Sequence, residues 1–232
     1  MKKIAIMQPY FLPYIGYWQL IHAVDIFVVY DNIQYTKKGW INRNRFLQNG
    51  KPEIFSIPLV KDSSFKNVDE RNISPSFEKK HLLAQFSNAY SKAPFYKQNF
   101  EIIENIVNYD NENLFEYIYN SILEIKTYFG IKTPIVKSSN IDIDHSLKSQ
   151  DKVIAICKAL NAGIYINAIG GQGLYNKGDF DSQGIKLNFI KTKNINYSQL
   201  IPTFVENLSI LDVMMFNGKK NLPNFLMEYE LL

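Results

Sequence analysis

The sequence has one cysteine and three histidines among 232 residues, and each scarcity excludes chemistry. Cys157 can form no internal disulfide, and no metal-ligand spacing surrounds it. Its setting, "VIAICKAL", reads as core rather than as an activated nucleophile. No strained elbow or partner spacing supports a serine or cysteine triad. Apolar runs of about eighteen residues are missing, which excludes a spanning helix. Two lysines open the chain, but a strand pattern follows them instead of a long apolar run and a small-residue cleavage site. The start therefore does not read as a signal peptide, and a cytoplasmic protein is expected. Lysine and arginine are spread along a chain of net charge +4, without the dense stripe that duplex nucleic acid requires. There is no internal repeat and no low-complexity segment.

What is present is an ordinary globular balance, 46% apolar and 21% charged, with a high aromatic content of 14%. The length suffices for one real core, and a single α/β domain over 1–232 is expected. Residues 3–8 and 25–30 ("DIFVVY") are short apolar runs rich in β-branched and aromatic side chains, and both read as strands. Between them, "YIGYWQLIHAV" has mainly helical spacing, which predicts a βαβ unit with parallel strands and a right-handed crossover. Asn49-Gly50 is a turn signal between two extended stretches, predicting a β-hairpin insertion over about 40–60. A helical insertion follows over about 77–130, with breaks at Ala93-Pro94, Asp110-Asn111 and Gly130, the last a good helix cap. "TPIVKSS" then returns to the sheet, "SQDKVIAICKALNA" reads as helix and "GIYINAI" as strand. "IKLNFIKT" is a late strand, and "LSILDVMMFNG" a helix stopped at Gly218. The alternation predicts an open, mostly parallel Rossmann-like sheet with helices on both faces.

Ligands of such sheets bind outside the carboxyl ends of the strands. Three loops are expected at that edge. The first, "QPYFLPYIGY", contributes Gln8, Tyr10, Tyr14, Gly16 and Tyr17 and opens a helix whose free N–H groups suit phosphate. Tyr14-Ile15-Gly16-Tyr17 has the spacing and position of the His-x-Gly-His motif of nucleotidylyltransferases, with both imidazoles replaced by phenols. Tyrosine can stack on a base and donate a hydrogen bond, but it supplies no imidazolium. Both rings could equally pack beneath the helix. The second loop gathers Asp31, Gln34, Tyr35, Lys38, Trp40, Asn42, Arg43 and Asn44. Its cations suit phosphate, its amides suit hydroxyls and its rings offer a platform; a solvated hairpin face is the plain alternative. The third loop, Gly170-Gly171-Gln172-Gly173 with Tyr175, allows close backbone approach, or is simply a turn. His81, near the start of the helical insertion, is a base only if that helix overhangs the site.

"MQPYFLPYIGYWQLI", "FVVYDNIQYTKKGWINRNR", "KAPFY", "ICKALNA", "GGQGLY" and "LSILDVMMFNG" resemble, in this order and over nearly the whole chain, the WbqC-like family. Asn167-Ala168-Ile169 departs from the Ser-Gly-Pro type of sequence that the family often has before the third loop. The resemblance implies a bacterial enzyme of O-antigen, capsule and lipopolysaccharide biosynthesis. Its expected reaction is N-acyl or N-aminoacyl transfer to a nucleotide-linked amino sugar. An acyl or aminoacyl thioester is the implied donor, with an acyl carrier protein as its carrier; no other cofactor and no metal is evident. In that scheme Lys38, Arg43 and the first helix N-terminus hold phosphates, while Tyr14, Tyr17 and Trp40 supply rings. Gln8, Asn42, Asn44 and Gln172 orient the substrate, and Asp31 or His81 is the base. The rival readings are a nucleotidylyltransferase-like enzyme and a non-catalytic nucleotide-sugar binding subunit.

Overall fold

The computed structural model describes residues 1–232. Its main sheet has the order β5-β2-β1-β6-β7-β8, formed by Ile135–Lys137, Ile26–Val29, Lys3–Met7, Ile164–Ala168, Lys186–Thr192 and Tyr229–Leu231. The first five are parallel, and β8 is antiparallel to β7 at the edge. A separate antiparallel hairpin pairs β3 (Arg43–Gln48) with β4 (Lys51–Ser56). Asn49 and Gly50, at φ +50° and +77°, make its two-residue turn, the geometry that suits the twist of paired strands. The mostly parallel Rossmann-like sheet and the inserted hairpin are thus as the sequence predicts.

β1 is the centre of the sheet. Ile4, Ala5 and Ile6 are buried, because helices cover both faces of parallel strands. Alternation divides the core in two. Ala5, Phe27, Val29, Ile166 and Ile190 pack with α1 (Ile15–His22) and the inserted helices. Ile4, Ile6, Val28, Tyr165 and Leu187 pack with α5 (Ser149–Ala159) and α6 (Lys177–Asp181). Cys157 belongs to this second core, wholly buried, and burial pushes its thiol up to about 12, which makes it inert.

Between β2 and β5 lie the hairpin and α2 (Lys79–Tyr90), α3 (Tyr96–Asn108) and α4 (Leu114–Phe129). α4 buries Leu114, Ile118, Ile122, Ile125 and Phe129 along one stripe. The Asn113 side chain caps its start by accepting from the Glu116 amide, and Gly130, at φ +70°, ends it as expected. α7 (Ile210–Phe216) closes over the same side, and α8 (Leu222–Phe225) leads into β8. The helix before Gly218 stops at Phe216, and Gly218 has a packing role: a Cβ there would meet the Phe95 ring at 2.7 Å. β8, α6 and α8, all short, have no counterpart among the elements predicted from the sequence.

The carboxyl ends of β2 and β5 are knotted together. Asp31, 4% exposed, accepts from the Ser138 hydroxyl at 2.6 Å, the Ser139 amide at 2.9 Å and the Ser139 hydroxyl. Burial alone would push this carboxyl up, but the Ser138 and Ser139 donors outweigh it and hold it below the usual carboxylate range. Because the folded value lies below the unfolded one, the stabilisation is complete above the unfolded pKa and is lost as pH falls through the folded value. The Tm difference between the wild type and Asp31→Asn is therefore expected to be largest at neutral pH and to close as pH falls below the ordinary carboxylate range. A difference independent of pH in thermal melts would refute this account.

Candidate functional site

The strand order places the topological switch point between β1 and β6, where successive connections run to opposite sides of the sheet. Gln8 and Tyr10 follow β1 on one lip of this crevice, and Ile169–Leu174, a 3-10 turn, follows β6 on the other. Gly170 and Gln172 are exposed there, and a Cβ added at Gly170 or Gly173 would meet open space. Gly171 is tighter, because a Cβ would come within 3.0 Å of the Asn167 side chain. The Asn167 amide donates to the hydroxyls of Tyr165 at 2.6 Å and Tyr175 at 3.0 Å, which orders the lip beneath the loop.

The aromatic loop after β1 is mostly interior. Phe11 and Leu12 are fully buried, and the Asn44 amide, itself buried, donates to the Leu12 carbonyl at 2.8 Å. Tyr17 is 2% exposed, packs on Phe27 and donates to the Gln8 carbonyl at 3.0 Å. Burial, with Tyr10 alongside, raises its phenol well above the ordinary value. Tyr17 and Asn44 are therefore structural side chains, sealed from any ligand, rather than the ring and amide contacts expected. Tyr14 is half-buried and lies across the start of α1, where a Cβ on Gly16 would collide with its ring at 2.5 Å. The close approach expected at Gly16 exists, but the chain's own phenol makes it. The Tyr10 hydroxyl donates to Gln8 Oε1 at 3.3 Å, so these two residues of the first loop stay together at the lip.

The second loop divides. Tyr35 donates to Asn42 Oδ1 at 2.8 Å and Asn42 donates to the Ile57 carbonyl at 2.7 Å, so both are committed inside the insertion. Gln34 donates to the Ser64 carbonyl at 2.8 Å. Lys38 is exposed at φ +62°, and Trp40 is 43% exposed with the guanidiniums of Arg43 and Arg45 on its ring at 5.4 and 5.7 Å. Arg43 also donates to the Gly39 and Lys38 carbonyls. Exposed Lys38 and Trp40 and half-buried Arg43 thus form one cationic corner at the root of the hairpin.

The two expected bases are placed differently. Asp31 is held ionised by its three donors, which suits a tie better than a proton acceptor. His81 is exposed on α2, a helix packed against β3 and α3. Asn32, in the second loop of the sequence, gathers partners that its position did not reveal. Asn32 Oδ1 accepts from Ser138 at 2.7 Å and from Lys152 Nζ at 3.2 Å, and its amide meets His145 Nδ1 at 2.9 Å. Two concavities lie elsewhere, one along the open edge of β5 (Tyr119, Ile135, Asn140) and one between α5 and α6 (Gln150, Asp179, Gln183). Neither has the loop ends and glycines that gather at the switch point. No three of the His, Cys, Asp and Glu side chains are grouped to hold a metal.

A family model described as "WbqC-like protein family" matches residues 8–223. A protein of Mycobacterium tuberculosis, "Uncharacterized protein Rv1507c", is 27% identical over 230 residues, covering 97% of this chain and 98% of the relative. The structural role of Tyr14 is open to a double-mutant cycle. Gly16→Ala and Tyr14→Ala are expected to couple by about 0.5–3 kcal/mol, since the smaller residue at 14 makes room for the new methyl group. Simple additivity in denaturant unfolding would show that the ring does not occupy this seat.

Proposed function

The chain belongs to the WbqC-like protein family, and from that premise we propose that it is a transferase acting on a nucleotide-linked amino sugar. The reaction is N-acyl or N-aminoacyl transfer from a thioester, in the assembly of bacterial surface glycans. The observation that carries the ligand class is the strand order. Outward crossovers from β1 and β6 leave a crevice at the carboxyl edge, the position where open parallel sheets hold nucleotides. Gln8 and Gln172 bring amides to the two lips for sugar hydroxyls, and the open space at Gly170 leaves room for a bulky ligand against backbone. The corner of Lys38, Trp40 and Arg43 offers cations for the diphosphate and an indole for the base. The transfer chemistry itself is inferred from the family resemblance.

The nucleotidylyltransferase reading loses its footing at Tyr14 and Tyr17, which have no imidazolium to offer a phosphoryl centre, and Tyr17 is buried besides. A second reading, a non-catalytic nucleotide-sugar binding subunit, is favoured by the commitment of Asp31 to Ser138 and Ser139. Turnover by the protein alone distinguishes the two. Thermal shift against UDP-, GDP- and dTDP-linked amino sugars is expected to find a stabilising ligand. Mass spectrometry with acyl thioesters is then expected to show the added acyl group. Gly170→Val should weaken that ligand at least tenfold, about 1.4 kcal/mol, while leaving the Tm of the free protein unchanged. Undiminished affinity in this variant would remove the crevice as the site, and no binding across the panel would remove the ligand class.

A further inference from the structure

Lys152 is 8% exposed, in the first turns of α5. Three salt bridges occur in the protein, Lys66–Asp62, Lys137–Glu116 and Lys191–Glu230, and Lys152 is in none of them. A buried ammonium ordinarily has a carboxylate beside it. This one has two long contacts to a single residue, 3.2 Å to Asn32 Oδ1 and 3.4 Å to the Asn32 carbonyl, and it stands 5.6 Å from the centre of the Tyr30 ring. Tyr30 continues β2 at the carboxyl edge and packs on the α5 side of the sheet. Its hydroxyl makes no hydrogen bond within the chain, although burial, reinforced by Tyr175 and Cys157, raises its pKa. The hydroxyl is not sealed from solvent, and no group of the chain occupies it, so it is free for a ligand. Tyr175, on the third loop, extends the same polar wall toward Gly170.

The groups facing Lys152 are Asp31 and Tyr30 from the end of β2, Asp69 from the short 3-10 turn Val68–Glu70, and His145 through Asn32. Burial pushes the ammonium down and the two carboxylates oppose it. Asp69 Oδ1 is itself buried without a hydrogen-bond partner. The surroundings thus favour an arriving cation over an arriving anion, and the amino group of an amino sugar is cationic.

We propose that Lys152 is the base that touches the acceptor amine, with the Tyr30 hydroxyl holding the same nitrogen; this rests on the transferase reading above. In its deprotonated form Lys152 Nζ takes one proton from the sugar ammonium. The freed nitrogen attacks the thioester carbonyl carbon and forms the C–N bond. Collapse of the tetrahedral adduct breaks the C–S bond, and the second proton passes from the nitrogen through Lys152 to the departing thiolate, which leaves as thiol. Lys152 then releases the first proton to solvent. The base is thus supplied from α5, on the opposite side of the sheet from α1 and its tyrosines.

The test is reductive methylation of the folded protein from about pH 6 to about pH 9, read residue by residue by mass spectrometry. Lys152 is expected to react at lower pH than exposed Lys97 and Lys186, and a nucleotide amino sugar that binds is expected to protect Lys152 but not those two. Lys152→Met should keep the affinity for that sugar within about threefold while kcat falls by ~100-fold or more, and Lys152→Arg should not restore it. Co-titration with the surface lysines, a Lys152 that stays unmodified, or reaction unprotected by a bound sugar would each overturn the proposal alone. If no nucleotide amino sugar binds, the function reading falls and takes the proposal with it.

Discussion

The carbonyls of Leu12 and Pro13 are the fastening on which the arrangement around the sheet depends. Leu12 O accepts from Asn44 of the hairpin and from the Ser209 hydroxyl, both at 2.8 Å. Pro13 O accepts from the Trp18 indole at 3.1 Å and from the Ile210 amide at 3.0 Å. Two adjacent peptide units thereby tie the end of β1 to α1, to the hairpin and to the start of α7. The backbone holds Leu12 at φ +46°, a conformation an L residue adopts only when its surroundings require it. Ser209 does double service, since its hydroxyl also accepts from the Leu211 amide and caps α7. The density of rings in this loop follows from that position. Aromatic side chains fill the space where these elements converge, and the prolines present carbonyls without competing donors.

A second polar tie completes the same side. Asp212 is fully buried and accepts from Tyr90 at 3.0 Å, Tyr197 at 2.6 Å and Gln199 at 2.8 Å. Burial raises this carboxyl, and the three donors only partly oppose the rise. Tyr90 in turn accepts from the Leu47 amide of β3 at 2.9 Å. The irregular segment after β7 is thus fixed to a helix and to the hairpin by one carboxylate. Arg71 plays a comparable part beneath the second loop, with its guanidinium over the Tyr35 ring at 4.9 Å and donating to the Ser63 carbonyl at 2.9 Å.

Periodicity and turn chemistry made most of the sheet and helices legible in the sequence. Asn49-Gly50, Gly130 and the apolar runs of β1, β2, β6 and β7 each express a local physical requirement. β8 was not legible, because Tyr229-Glu230-Leu231 has no apolar or β-branched run, whereas β5, an edge strand of the same length, sits in the run "TPIV". The site was legible only as a neighbourhood. The loops at the carboxyl edge followed from the fold class, but the role of each polar side chain depends on partners far away in sequence. Asn44 looked free for substrate until Leu12 took its amide. Asp31 looked like a base until Ser138 and Ser139, 107 and 108 residues away, occupied its oxygens. Lys152 gave no signal of its own, because a single lysine on a helix is ordinary until its surroundings are known.

The sheet order also governs the sequence of events while the chain is being made. β1, the central strand, acquires β2 within the first thirty residues, but its other neighbour, β6, ends at Ala168. Through the synthesis of the hairpin and three helices, one side of this buried strand has no partner to pair with. The Leu12 carbonyl waits longer still, for Ser209. Such long-range closure slows folding and lengthens the exposure of a strand edge. The nascent chain is therefore at its most vulnerable to association with other chains over the middle of its synthesis, and the arrival of β6 ends that period.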